Sequence, residues 1–126
     1  LLHIGTNNIY QGMPADLPGQ LDALLDQITT GAPDALVVVA QITPVATQGA
    51  QFTFPNNGVD VYNATIPAVV QEHVDAGQHL ILVNMNAAFR ANPNFVSLLS
   101  EGLHPNDTGY GVMADTWYQA IESFLP

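Results

Sequence analysis

The sequence predicts an α/β domain with a parallel sheet, and three observations predict it. Three apolar runs, at residues 1–4, 35–42 and 79–85, have strand length. Stretches of helical periodicity separate them and follow the last one. No repeat or linker divides the 126 residues, so they read as one domain. Strand, helix, strand, helix, strand, helix is the order of a parallel sheet with right-handed crossovers.

The elements follow in order. Residues 1–4 read as a buried strand, ending in the turn Gly5-Thr6-Asn7-Asn8. Residues 13–19 form a loop with Pro14 and Pro18 as breakers. Leu17, Leu21, Leu24, Leu25 and Ile28 recur at helical spacing, which predicts an amphipathic helix over 18–30, ended by Gly31-Ala32-Pro33. The continuous apolar run at 35–42 suits a strand covered on both faces. Residues 43–58 make a loop long enough to be functional or mobile. A second helix is expected over 59–76, with Ile66, Val69, Val70 and Val74 on one face. Pro67 should kink it or mark its first turn. After the strand at 79–85, residues 86–103 read as a long connection. Residues 107–124 form the last helix, with Tyr110, Met113, Trp117 and Ile121 facing inward.

Charge narrows the function classes. One basic residue, Arg90, stands against eleven acids, for a net charge of -10. Such a chain offers almost nothing to nucleic-acid phosphates and is repelled by anionic membranes. Neutral substrates such as carbohydrates and their esters remain compatible. No run of about 18 apolar residues predicts a membrane span. There is no cysteine, hence no disulfide and no thiolate metal site. His3 reads as a satisfied core or edge residue, His73 as a helix-surface residue and His79 as the start of a strand. No two histidines share metal-ligand spacing, so neither a metal nor another cofactor is expected. Scarce Lys and Arg suggest a secreted protein, and the sequons Asn63-Ala64-Thr65 and Asn106-Asp107-Thr108 are compatible with that. The chain opens inside an apolar run, without Met or signal peptide. That leads to the expectation of upstream sequence that is missing, removed or carried by another chain.

Two polar groups follow the first and third strands, where open α/β sheets bind ligands. One is Gly5-Thr6-Asn7-Asn8 and the other Glu101-Gly102-Leu103-His104-Pro105. A carboxylate three residues before a histidine can fold back to accept its Nδ1–H, leaving Nε2 free as a base. The same spacing also fits an ordinary turn, with Glu101 solvated and His104 packed under the last helix. Asn7 likewise suits a turn, because Asn tolerates left-handed backbone.

Residues 101–110, Glu-Gly-Leu-His-Pro-Asn-Asp-Thr-Gly-Tyr, closely resemble the last block of SGNH (GDSL-like) hydrolases, usually written D-G-x-H-P-N-x-x-G-Y. Gly5-Thr6-Asn7 resembles the family's G-x-N-D block. The members that deacetylate xylan look most similar, and the resemblance covers the later three-fifths of such a domain. It implies a three-layer α/β/α, flavodoxin-like sheet that lacks its first strands, and a serine esterase acting on acetylated or otherwise short-acylated carbohydrate or another small ester. By it, His104 is the general base, Glu101 the acid that orients it, and Asn7 the oxyanion donor in a loop that includes Gly5. A neutral amide suits that role because it stabilises a developing oxyanion without itself being ionised.

Two departures are mild: Glu101 stands where the family has Asp, and Asn8 replaces the Asp after the oxyanion Asn. The third is larger. The Gly-Asp-Ser block with the nucleophile, and the block whose glycine N–H completes the oxyanion hole, are not in the chain. Ser97, Ser100 and Ser123 are its only serines, and none follows a strand at a tight turn. The expected partner is therefore the N-terminal segment of the same domain. The other readings are a degenerate domain that binds glycans without hydrolysing them, and a structural fragment.

Overall fold

The computed structural model describes residues 1–51 and 57–125. Strand β1 (Val37–Ala40) pairs in parallel with β2 (Leu80–Val83), in register from Val37↔Leu80 to Ala40↔Val83. Residues 1–4 lie on the other side of β1 and join it through one parallel bridge, Leu2↔Val39. There the Leu2 N–H donates to Val38 O (2.8 Å) and the Ala40 N–H to Leu2 O (2.9 Å). The three parallel segments thus lie in the order 1–4, β1, β2. The regular ladders are shorter than the apolar runs at 35–42 and 79–85, and residues 1–4 form a bridge rather than a full strand.

All four side chains of β1 are buried because both faces of the sheet are covered. Val37 and Val39 enter a core with Leu17, Leu21 and Leu25 of α2 (Leu17–Gly31) and Val59, Tyr62, Ile66 and Val70 of α3 (Gly58–Asp75). Val38 and Ala40 enter a second core with Met85 and Phe89 of α4 (Met85–Arg90) and Leu98. Trp117 and Ile121 of α5 (Asp107–Ile121) pack against it. Helix, sheet and helix make the three layers. Burying one such aliphatic side chain contributes about 1.5–3 kcal/mol, so an unbroken valine run is the economical sequence for the central strand.

Several elements differ from the sequence expectation. A short helix, α1 (Thr6–Tyr10), begins directly after Gly5, where a turn and loop were expected. The connection at 86–103 holds α4 and a 3-10 turn at Phe95–Leu98. Neither short helix is long enough to show an apolar period. The Asn84 side chain starts α4 by accepting from the Ala87 N–H at 2.8 Å. Residues 43–46 of the expected loop are buried, and the Ala46 N–H donates to Gly102 O at 2.8 Å. The rest of that loop includes residues 52–56, which lie outside the described residues.

Helix α3 corrects two side-chain expectations. Val74 is exposed, and His73 is buried, not on the surface. His73 lies seven residues after Ile66, about two whole turns, so it falls on the buried stripe while Val74 is rotated off it. The His73 imidazole is satisfied there by Asp22 at Nε2 (3.0 Å) and by Gln78 at Nδ1. Helix α5 lies nearer the surface than expected. Met113, Trp117 and Ile121 are half-buried, whereas Tyr110 is exposed and not inward-facing.

Pro67 sits inside α3, and the helix continues through it. Proline has no N–H, so it cannot pair with the carbonyl four residues earlier, that of Asn63. The Gln41 side chain donates to that carbonyl at 2.7 Å. The Asn63 side chain itself grips the residue after Gln41. It accepts from the Ile42 N–H at 2.8 Å and donates to Ile42 O at 2.9 Å. Asn63 is buried, and Ile42 is fully so.

Asn63→Ala leaves the buried Ile42 N–H without its acceptor and takes from the Ile42 carbonyl one of its two donors, Asn86 being the other. It is expected to lower unfolding stability by about 2–4 kcal/mol, measured by urea denaturation. A loss under about 0.5 kcal/mol would show that the clamp is dispensable.

Candidate active site

The rim at the carboxyl ends of the three parallel segments is assembled from two loops. The first leaves residues 1–4 through Gly5, whose φ of +123° is unfavourable for any residue with a side chain. A Cβ at Gly5 would also lie 2.3 Å from the Tyr62 ring. Only glycine lets the chain pass this buried tyrosine and turn at once into α1, which carries Asn7 and Asn8 on its first turn. Asn7 is therefore helical rather than left-handed. Asn8, in the place of the family's Asp, lies 3.5 Å from Gln20 Oε1 through its amide nitrogen.

The second loop, residues 98–106, closes on itself. The Ser100 N–H donates to His104 O (2.8 Å) and the Asn106 N–H to Leu98 O (2.9 Å). Asn106 is the N-cap of α5: its side chain accepts from the Gly109 N–H at 3.1 Å and donates to Ser97 O at 2.8 Å. Helix α5 can sit this close because position 109 is glycine; a Cβ there would lie 2.2 Å from Leu98 O. The two sequon asparagines, Asn63 and Asn106, are thus both engaged in holding the fold.

Within the second loop the Glu101 carboxylate meets His104 Nδ1 and also faces the His104 backbone N–H at 3.2 Å. The His104 hydrogen bond holds the Glu101 carboxyl below its ordinary value of 4.5. Glu101 is largely covered, whereas the His104 side chain is 67% exposed. The dyad therefore presents an imidazole oriented from behind, with Nε2 unengaged among the described residues. It is not packed under α5.

His104 and the first loop face the same cavity, of about 460 Å³. Gly5, Asn7 and Asn8 line one side of it, and His104, Pro105 and Tyr110 the other. Glu101 is not in the lining; it stands behind His104. None of the three serines is in the lining either, and the Ser97 hydroxyl is spent on Asn94 O at 2.8 Å. Sequence reasoning missed two lining residues, His3 and Thr43. His3 Nε2 accepts from the Thr43 N–H at 3.1 Å, and burial pushes the His3 imidazole below its usual 6.5. It is thus held neutral, as an acceptor must be. Their positions at the carboxyl ends of adjacent parallel segments were the available signal.

The profile of the GDSL-like lipase/acylhydrolase family matches residues 1–112. The chain belongs to that family. This GDSL-like chain is 31% identical over 119 residues to a protein of Acetivibrio thermocellus provisionally named endoglucanase X, covering 94% of this chain and 47% of that one. It is 26% identical over 125 residues to a multidomain esterase of Ruminococcus flavefaciens, covering 99% of this chain and 16% of the esterase. Among solved structures it resembles a Clostridium thermocellum family 3 carbohydrate esterase, with a TM-score of 0.75 and 27% identity over 98% of this chain and 55% of that one. The chain thus spans about half the length of the first of these relatives and a smaller part of the second.

Two outcomes are expected. Because His104 stabilises the charged form of Glu101, this carboxyl should titrate below 4.5 by NMR, and His104→Ala should return it upward. The sign follows: stability from this contact is present above the unfolded-state value and lost as pH falls through the lower folded-state value. An unchanged titration in His104→Ala would assign the shift elsewhere. Gly5→Ala should destabilise the fold by about 2 kcal/mol or more, combining overpacking against Tyr62 with backbone strain. Thermal or urea unfolding measures it, and a neutral result would contradict the close approach.

Proposed function

We propose that these residues are the base-and-oxyanion part of a serine esterase whose nucleophile lies on a segment outside the 126 residues. The observation that carries the reading is the His104–Glu101 contact on a cavity shared with Asn7. His104 acts as general base through Nε2, taking the proton of an incoming serine hydroxyl and later returning it to the leaving alcohol. Glu101 holds the neutral imidazole in the tautomer with hydrogen on Nδ1 and stabilises the imidazolium as it forms. Asn7 donates its side-chain NH₂ to the oxyanion of the tetrahedral intermediate. The longer Glu in place of Asp serves because the loop 98–106 folds back far enough for its carboxylate to meet Nδ1.

The substrate we propose is a carbohydrate bearing acetyl or other short acyl groups, such as acetylated xylan. Three points support it. The Clostridium thermocellum neighbour is a carbohydrate esterase, and the Ruminococcus flavefaciens relative is a multidomain esterase. A net charge of -10 favours neutral substrates over polyanions. The rim is open and lined by hydroxyl and amide groups beside apolar ones.

The test compares p-nitrophenyl acetate and acetylated xylan turnover by residues 1–126 with turnover by a polypeptide that also carries a Gly-Asp-Ser segment upstream. The shorter chain is expected to be slower by roughly a thousandfold or more, since a base without its nucleophile retains only residual catalysis. In the longer polypeptide, Asn7→Ala should cost about 100- to 1,000-fold in kcat. Full rates from residues 1–126 alone that depend on His104 would refute the shared nucleophile.

A further inference from the structure

A second cleft, of about 580 Å³, opens beside the first on the same rim. Gln41, Asp60, Asn63, Asn84, Asn86 and Arg90 line it, with only alanines as apolar neighbours. Its separation from the first cavity is short. Gln41 lines one and Thr43 the other, and two residues of extended chain span at most about 7 Å. The wall between them is Ile42. Its carbonyl accepts from both Asn63 Nδ2 (2.9 Å) and Asn86 Nδ2 (3.1 Å).

The polar groups of this cleft are held in place before any ligand arrives. Arg90, the single arginine in a chain without lysine, donates from Nε to Asn86 Oδ1 (2.8 Å) and from one Nη to Asp60 Oδ1 (3.0 Å). Its guanidinium lies over the Phe95 ring, 5.4 Å from the centroid. Asn84 spends its oxygen on capping α4, and Gln41 spends its amide nitrogen on Asn63 O. What these bonds leave is a mixed set. The Asn84 NH₂ and the second Arg90 Nη are donors; Gln41 Oε1 and Asp60 Oδ2 are acceptors.

We infer that this second cleft is a subsite for a neutral pyranose unit of an oligosaccharide whose acylated unit occupies the first cavity. The inference rests on the carbohydrate reading above. Each sugar hydroxyl both donates and accepts, which matches a cleft that holds fixed donors and fixed acceptors together. A uronate or phosphate fits less well, because Asp60 shares the site and has already engaged Arg90. A purely apolar acyl tail would leave the polar groups unpaired. Pre-ordered side chains also lower the entropy lost on binding.

The experiment titrates xylotetraose, which carries no acyl group, into the intact polypeptide that contains these residues. Calorimetry gives the affinity, and amide and side-chain NMR shifts give the location. Binding should perturb Gln41, Asn84 and Arg90. Asn84→Asp keeps the helix cap and removes the donor, and should weaken binding about fivefold. Arg90→Met should weaken it about tenfold or more, with a thermal melt confirming that each variant is folded. Absence of binding, shifts confined to the first cavity, or full affinity in both folded variants would overturn the subsite. Because xylotetraose has no ester, these results stand apart from turnover: loss of esterase activity refutes the catalytic reading, and loss of xylotetraose binding refutes the cleft.

Discussion

Everything on the rim depends on how β1 is stopped. A parallel strand buried on both faces has its backbone groups paired by neighbours on each side, and where the pairing ends those groups need other partners. At Ile42 the Asn63 side chain supplies both, as a strand neighbour would. The clamp lets the chain leave the sheet while still inside the core. Residues 43–46 then run buried toward the histidine loop, where Ala46 meets Gly102. The Thr43 N–H meets His3 on the other side. One carboxamide on a helix thus links the strand end to both loops that frame the cavity.

Pro67 belongs to the same device. In an exposed helix interior it would be a defect costing about 3 kcal/mol. Here the carbonyl it leaves open faces Gln41, which closes it. Helix α3 is therefore joined to the end of β1 twice, by the Asn63 side chain and by the Asn63 carbonyl. Ile42, held by Asn63 and Asn86, then stands between two cavities, one lined by the histidine and the other by the arginine.

The histidine loop shows the same economy in backbone terms. Its two ends are tied by Ser100, Leu98 and Asn106, and its far end is the N-terminus of α5. Glu101 and His104 are separated by two residues and converge because that loop is short and closed. The imidazole can stay exposed and still be oriented, since its orientation comes from the carboxylate behind it rather than from packing. That is the combination the proposed general-base role calls for.

The sequence by itself determined the layer order, the parallel sense, both polar blocks and the family, because these depend on short-range pattern: apolar period, breakers and contiguous motifs. Residues 101–110 could be read as a unit since their mutual geometry is local. What only the tertiary structure decided depends on pairs far apart in the chain. A histidine carries no apolar signal, so the sequence points His73 to the surface; its place is set by Asp22 and Gln78. Residue type points Val74 and Tyr110 inward, and the helix phase and the shallow seating of α5 put them outside. The roles of Asn63, Gln41, His3 and Thr43 were invisible for the same reason. Each acts through one hydrogen bond or a pair of them, to a residue between 21 and 40 positions away. No periodicity encodes such a contact, and only the packed sheet brings the partners together.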